Sequence, residues 1–126
     1  MNSNLQSKTI LIVDDAPENI AILGELLSEY QLKVATSGEK ALEIINSGSG
    51  KIDLILLDII MPGIDGLEVA RRLKSDSATA SIPVIFVTAK SDAGSFIKGF
   101  ELGAEDYITK PFEAEVIKAL VNKILK

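Results

Sequence analysis

The chain has 126 residues, enough for one compact domain, and its 47% hydrophobic and 25% charged residues are typical of a globular protein. Cysteine and histidine are absent, which excludes disulfides, thiol chemistry and most zinc sites and catalytic triads. The net charge of -5 disfavours nucleic acid or an anionic membrane as the main partner.

Short apolar runs alternate with segments of helical period along the whole chain. Continuous apolar runs are typical of strands that are covered on both faces, and apolar residues spaced by three or four are typical of helices. In chain order, we predict strand 9–15, a helix from Pro17 with an apolar stripe of Ile20, Leu23, Leu27 and Tyr30, strand 32–37, helix 38–46, strand 53–58, helix 67–74, strand 82–89, helix 92–103, strand 105–110 and helix 113–125.

The strict alternation of five strands and five helices predicts an α/β fold. It is a doubly wound parallel sheet with helices on both faces and right-handed crossovers. The helix at 92–103 is weak, because Gly94 and Gly99 inside it each cost about 1 kcal/mol relative to alanine. Gly103 suits its C-cap. We expect this helix to be easily shifted, and alanine at Gly94 and Gly99 to stiffen it.

Five polar side chains stand at the predicted carboxyl ends of strands: Asp14, Asp15, Asp58, Thr88 and Lys110. Ligand sites in such sheets lie beyond these strand ends. Two ionised carboxylates 4 Å apart repel by about 4 kcal/mol at an effective dielectric near 20, so we expect cations among them. Lys110 supplies one positive charge. Because the remaining groups are oxygen ligands, Mg²⁺ is the predicted second cation.

This set of groups predicts phosphoryl-transfer chemistry. That reaction depends mainly on positioning and on neutralising charge, which a metal ion, an ammonium group and a hydroxyl group can provide. A carboxylate can itself be the nucleophile and form an aspartyl phosphate. Asp58 is the best candidate, because it ends the central apolar strand alone and the turn-rich loop MPGIDG follows it.

Four segments carry a family resemblance: ILIVDD, LILLDIIMPGIDG, PVIFVTA and GAEDYITKPF. Together they resemble the receiver domain of bacterial response regulators of the chemotaxis-regulator type, and the resemblance covers residues 8–125. It implies a flavodoxin-like sheet in the order 2-1-3-4-5 and one receiver domain over 1–126, with 1–7 as a flexible N-terminal tail. The segments VDDAPENI and FELGAEDYITKPF especially resemble receivers fused ahead of cyclic-di-nucleotide signalling enzymes.

The resemblance implies a role for each residue near the strand ends. Asp58 accepts a phosphoryl group from the phosphohistidine of a sensor histidine kinase or phosphotransfer protein. Asp15, Asp58 and the backbone carbonyl of Ile60 bind Mg²⁺, and Asp14 assists through water. The apolar Ile60 also favours slow self-dephosphorylation, because it hinders attack by water. Lys90 occupies another position that affects phosphate lifetime in this family.

The resemblance further implies a switch. Lys110 pairs with the phosphoryl group and precedes a cis peptide bond to Pro111, while Thr88 hydrogen-bonds the phosphoryl group. Tyr107 then swings inward, and the surface of the fourth helix, fifth strand and fifth helix rearranges. That surface controls a downstream output domain or protein and can form a homodimer. We expect a cytoplasmic protein with no direct contact to nucleic acid or membrane, which catalyses only its own phosphorylation and dephosphorylation.

Alternative interpretations remain open from the residues alone. A stand-alone phosphatase could also use an aspartyl phosphate, but Ile60 stands where such enzymes carry a second carboxylate as acid and base. A structural domain without phosphorylation is disfavoured by the intact set of strand-end residues. The ordinary roles of those residues are helix capping for Asp14 and Asp15, helix or turn capping for Asp58, strand propensity for Thr88, a solvated surface position for Lys110 and core packing for Tyr107.

Overall fold

The computed structural model describes residues 8–48, 50–89 and 93–125. The tail predicted at 1–7 and the position Lys90 lie outside these residues. Strands and helices alternate throughout, as predicted. Their bounds are β1 (Thr9–Val13), α1 (Pro17–Leu26), β2 (Gln31–Ala35), α2 (Gly38–Asn46), β3 (Leu54–Leu57), α3 (Gly66–Lys74), β4 (Val84–Thr88), α4 (Ala93–Glu101), β5 (Asp106–Thr109) and α5 (Ala114–Leu125).

The five strands form one parallel sheet in the order β2-β1-β3-β4-β5, which confirms the predicted flavodoxin-like topology. Every residue of β1, β3 and β4 is buried, as expected for strands covered on both faces. Because side chains alternate across a strand, β1 supplies Leu11 and Val13 to one hydrophobic core and Ile10 and Ile12 to a second.

Helices cover both faces of the sheet. The first core packs against α2 and α3 through residues such as Ala41 and Val69. The second core packs against α1 and α5, where Leu23 and Ile117 are buried. Among the helices of the described ranges, none combines the length and the apolar character that a bilayer crossing requires.

The predicted end of the first helix was wrong. The helix stops at Leu26, with Leu27 as its C-cap, so Tyr30 does not belong to the helical stripe. Tyr30 instead lies in the connection to β2, where its backbone N–H donates to the carbonyl of Leu27. Its ring is buried in the second core, and its hydroxyl donates to Asn122 Oδ1 on α5 at 3.1 Å. Burial, aided by the charge of Glu29, raises the pKa of the Tyr30 hydroxyl.

The strand ends also differ slightly from the prediction, because β1 stops at Val13 and leaves both aspartates just beyond it. The predicted C-cap of α4 is confirmed. Gly103 adopts φ +89°, a conformation that glycine tolerates best, and its N–H donates to the carbonyl of Phe100 at 2.9 Å.

Candidate functional site

Three carboxylates meet at the carboxyl end of the sheet. Because Val13 and Leu57 are register neighbours, the residues that follow them, Asp14 and Asp58, lie side by side. The Asp58 N–H donates to the carbonyl of Val13 at 2.9 Å. One carboxylate oxygen from each of Asp14, Asp15 and Asp58 lies within 4.8 Å of the others. Asp14 and Asp58 are buried, whereas Asp15 is exposed.

Lys110 brings a positive charge to two of these carboxylates. Its Nζ lies 2.9 Å from Asp14 Oδ2 and 3.1 Å from Asp58 Oδ2. The side chain is only 16% exposed, so the alternative of a solvated surface lysine does not hold. Because β4 separates β5 from β3 in the sheet, Lys110 must cross the end of β4 to reach them. Its peptide bond to Pro111 is cis, as the resemblance implies.

Asp14 is held from both sides of its carboxylate. While Oδ2 binds Lys110, Oδ1 accepts the backbone N–H of Ala16 at 2.9 Å and the amide of Asn19 at 3.4 Å. The N-cap of α1 is Ala16, without a side-chain capping hydrogen bond. Neither Asp14 nor Asp15 is therefore the N-cap residue that the capping alternative requires.

Asp58 is likewise not a helix cap. Its Oδ1 accepts the N–H of Ile60 at 3.4 Å, whereas the N-cap of α3 is Asp65, which accepts the N–H of Glu68 at 2.9 Å. The start of α3 returns to Asp58 at Gly66. A β-carbon at Gly66 would collide with the Asp58 carbonyl oxygen, so glycine is required for this approach.

Three acidic side chains and one ammonium group meet at the site, and burial acts on both kinds of group. Burial raises the pKa of the Asp58 carboxyl, although the charge of Lys110 opposes this effect. Burial acts to lower the pKa of Lys110, but its hydrogen bond to Asp14 and the charge of Asp58 outweigh burial and raise it. The ammonium group therefore stays protonated, and one positive charge faces three carboxylates. A hard divalent cation fits this set of oxygen donors, and Asp14, Asp15 and Asp58 could hold it.

The structure places Thr88 at the same edge of the sheet and Tyr107 farther from it. Thr88 ends β4, is completely buried, and accepts the N–H of Lys110 through its carbonyl at 2.9 Å. Tyr107 pairs in register with Phe86, two residues before Thr88. Its ring centroid lies 6.0 Å from that of Phe86, with 52° between the ring planes. Ile60 is 54% exposed beside the carboxylates.

Two supports of the site were not predicted from sequence. The contact of Asn19 with Asp14 could have been suspected, because Asp14 lies just before α1, Asn19 lies in its first turn, and the two are five residues apart. The need for glycine at Gly66 has a weaker signal, a glycine that ends the turn-rich segment MPGIDG. Its reason is visible only once the loop path is known.

Comparison with known proteins decides the family. Residues 10–122 match the model of the response regulator receiver domain. The chain belongs to this family. Receiver domains are phosphoacceptors in bacterial two-component signalling, where they interact with histidine kinases and output domains, and Mg²⁺ and a phosphoaspartate are general features of the family.

Individual relatives agree with this assignment. The chain is 46% identical over 124 residues to a probable cyclic di-GMP phosphodiesterase of Vibrio cholerae, covering 98% of the chain and 28% of that protein. It is 46% identical over 122 residues to the phosphate regulon transcriptional regulatory protein PhoB of Pseudomonas aeruginosa, covering 94% and 52%. The chain thus spans about half or less of these relatives. The structure of the BeF3-activated DrrB receiver domain superposes with a TM-score of 0.82 at 33% identity, covering 94% and 97%.

Proposed function

We propose that this receiver domain is a switch in which Asp58 accepts a phosphoryl group from the phosphohistidine of a sensor histidine kinase or phosphotransfer protein. An Asp58 oxygen attacks phosphorus, an O–P bond forms and the N–P bond breaks. The imidazole nitrogen keeps the electron pair and takes up a proton. The observation that carries the proposal is the Lys110 ammonium between Asp14 and Asp58, at 2.9 and 3.1 Å.

The other residues at this edge have proposed supporting roles. Asp15, Asp58 and the carbonyl of Ile60 would hold Mg²⁺, with Asp14 assisting through water. Bound Mg²⁺ would supply positive charge that stabilises the phosphoryl oxygens during transfer. Lys110 already contacts an Asp58 oxygen and would pair with the phosphoryl group. The hydroxyl of Thr88, at the end of the adjacent strand, would donate a hydrogen bond to it.

We further propose that phosphorylation is transmitted to the α4–β5–α5 surface. Tyr107 is half-buried against Phe86 and would move inward when Thr88 engages the phosphoryl group. An apolar surface there could bind an output domain, a target protein or a second copy of the chain. Its exposed apolar members are Ile97, Phe100 and Val116.

The same proposal includes four further assignments. Residues 1–126 would form a single receiver domain that acts in the cytoplasm. It would catalyse only its own phosphorylation and dephosphorylation, and it would contact neither nucleic acid nor membrane directly. A metabolic phosphatase is disfavoured because Ile60 offers no carboxylate two residues after Asp58.

Acetyl phosphate with Mg²⁺ tests the acceptor role directly. We expect intact-mass spectrometry to show one added phosphoryl group on the wild type and none on Asp58→Asn. Asp53→Asn is the matched control, because Asp53 lies just before the opposite end of the same strand, where its Oδ2 accepts the N–H of Thr9. Equal modification of Asp58→Asn, or no modification of any variant, would contradict the proposal.

Slow self-dephosphorylation follows from Ile60, which places an exposed apolar side chain beside the acceptor and cannot orient an attacking water. The decay of the phosphorylated protein in Mg²⁺ measures this property. A half-life of seconds would contradict it.

A further inference from the structure

The β3–α3 loop, residues 58–65, holds both the phosphoacceptor and the backbone proposed to bind Mg²⁺. Its side chains alternate between core and solvent, because Ile59 and Met61 are buried in the first core while Ile60 is exposed. At its far end, the N–H of Gly66 donates to the Ile59 carbonyl at 2.8 Å. Beyond the buried Met61, Pro62 and Gly63 are exposed, and a further anchor there would restrict the loop.

Glu39, in the first turn of α2, supplies such an anchor. Its Oε2 accepts the backbone N–H of Ile64 at 3.2 Å, across 25 residues of sequence. The same carboxylate lies over Gly63, where a β-carbon would come within 2.6 Å of Oε2. Gly63 also has φ +79°, which favours glycine. Glycine at this position therefore permits both the turn and the approach of the carboxylate.

The start of α2 is also packed directly against the loop. Gly38 is buried, and a β-carbon there would lie 2.7 Å from Ile64 Cγ1 and 3.0 Å from the Ile64 carbonyl oxygen. It would also lie 2.8 Å from Val69 Cγ2 on α3. Helix α2 thus packs against the loop at Gly38 and accepts a hydrogen bond from it at Glu39. Neither contact involves the α4–β5–α5 surface.

We propose that Glu39 is a positioning residue that holds the β3–α3 loop in the conformation that binds Mg²⁺ and permits phosphorylation of Asp58. The inference rests on the proposed function of that site. Without the carboxylate, the backbone from Ile60 to Ile64 populates other conformations, and the apparent Mg²⁺ affinity falls in proportion to the fraction that remains competent.

Three variants separate anchoring from other effects of the substitution. Glu39→Ala removes the acceptor, Glu39→Gln keeps an amide oxygen that can accept the Ile64 N–H, and Glu43→Ala removes an exposed carboxylate one turn later in α2. For Glu39→Ala we expect roughly fivefold weaker Mg²⁺ binding, which is on the order of the loss from one exposed hydrogen bond to a carboxylate. Glu39→Gln should recover most of this loss, and Glu43→Ala should match the wild type.

The measurements are Mg²⁺ titration by calorimetry and amide exchange of the metal-free protein. Anchoring predicts faster exchange at Ile64 in Glu39→Ala even without Mg²⁺. Wild-type Mg²⁺ affinity in Glu39→Ala would overturn the proposal, as would a Glu39→Gln variant that binds as weakly as Glu39→Ala. A wild-type protein that neither binds Mg²⁺ nor is phosphorylated would instead refute the proposed function, whereas the metal-free exchange at Ile64 still tests the anchor itself.

Discussion

Two nine-residue helices of this domain, α3 and α4, differ in how they are held. Helix α3 begins with an Asp65 N-cap. Its first-turn residue Glu68 pairs with Arg71 at 2.6 Å and with Arg72 at 2.8 Å. Four of its residues are buried: Gly66, Val69, Ala70 and Leu73. Local capping, ion pairs and core packing all stabilise the same helix.

Helix α4 has far less support among the side chains that the structure describes. Ile97 is 58% and Phe100 is 51% exposed, and the buried Gly99 lies against the ring of Phe86 in β4. A helix with few buried contacts opens and shifts at low free energy. Among the side chains that the structure describes, the helix that closes the phosphoacceptor loop has a cap, ion pairs and four buried residues, whereas the helix proposed to carry the signal buries Gly99 alone.

Truncation of a core side chain should give the largest difference between the two helices. We expect Leu73→Ala in α3 to destabilise the protein by about 2–5 kcal/mol, because Leu73 is buried in the first core. Ile97→Ala in α4 should change stability by less than about 0.5 kcal/mol. Urea unfolding of both variants measures this difference. Similar losses would show that α4 is packed as firmly as α3.

The second-largest expected difference between α3 and α4 is the change in their amide exchange on activation. With beryllofluoride and Mg²⁺, we expect amide exchange in the second half of α4 to change by about tenfold, which corresponds to about 1.4 kcal/mol. Exchange in α3 should change by less than about twofold. Hydrogen-exchange mass spectrometry on the wild type and on Asp58→Asn provides the test and its control. Equal changes in amide exchange in both helices would contradict the expectation that α4 responds more strongly than α3.

The contact between α4 and the sheet should be sensitive to one added methyl group. A β-carbon at Gly99 would lie 3.0 Å from two ring atoms of the fully buried Phe86. Overpacking costs about 1–3 kcal/mol, and the gain in helix propensity returns up to about 1 kcal/mol. We therefore expect Gly99→Ala to lower the free energy of unfolding by on the order of 1 kcal/mol. The sequence alone instead predicts that alanine at this position stiffens the helix.

Two comparisons sharpen this test. Gly94→Ala, in the first turn of the same helix, should be neutral or slightly stabilising. Combining Gly99→Ala with Phe86→Leu should cost less than the sum of the single substitutions, because the smaller side chain relieves the clash. If the stability losses of the two substitutions simply add, the effect of Gly99→Ala does not come from contact with Phe86.

The smallest expected effect concerns the ion pairs of α3. Hydrogen bonds from Arg71 and Arg72 lower the pKa of Glu68 to about 2. A depressed carboxyl pKa stabilises the fold above the unfolded pKa near 4.5, and this stabilisation disappears as the pH falls towards 2. Glu68→Gln should therefore be slightly less stable than the wild type at pH 7, with a smaller difference at pH 3. A pH-independent difference in urea midpoints would contradict this.

The fold and the charged residues of the site could be predicted because both follow from regular patterns. Alternating strands and helices specify a parallel sheet, and the carboxyl ends of parallel strands meet at one edge. Asp14, Asp58 and Lys110 were therefore expected near one another, and the structure brings them into contact.

Contacts that depend on the path of a loop could not be predicted. Glu39 and Ile64 are 25 residues apart, and no periodic pattern links them. A glycine in the sequence does not reveal what lies against it, so the neighbours of Gly66 and Gly99 became visible only in the structure. The end of α1 was misplaced for a related reason. Tyr30 continues the helical spacing of the apolar residues before it, but it lies beyond the end of the helix, and its hydroxyl contacts Asn122 on α5.

The contact of Lys110 with two carboxylates affects how cooperative the change between the resting and phosphorylated forms would be. One ammonium group serves carboxylates that follow β1 and β3, although it is attached beyond β5. A phosphoryl group on Asp58 would draw that ammonium away from Asp14. Asp14 in the resting form and the phosphoryl group in the phosphorylated form would then compete for the same ammonium group. An intermediate position of Lys110 would pair well with neither, so the transition would be all-or-none.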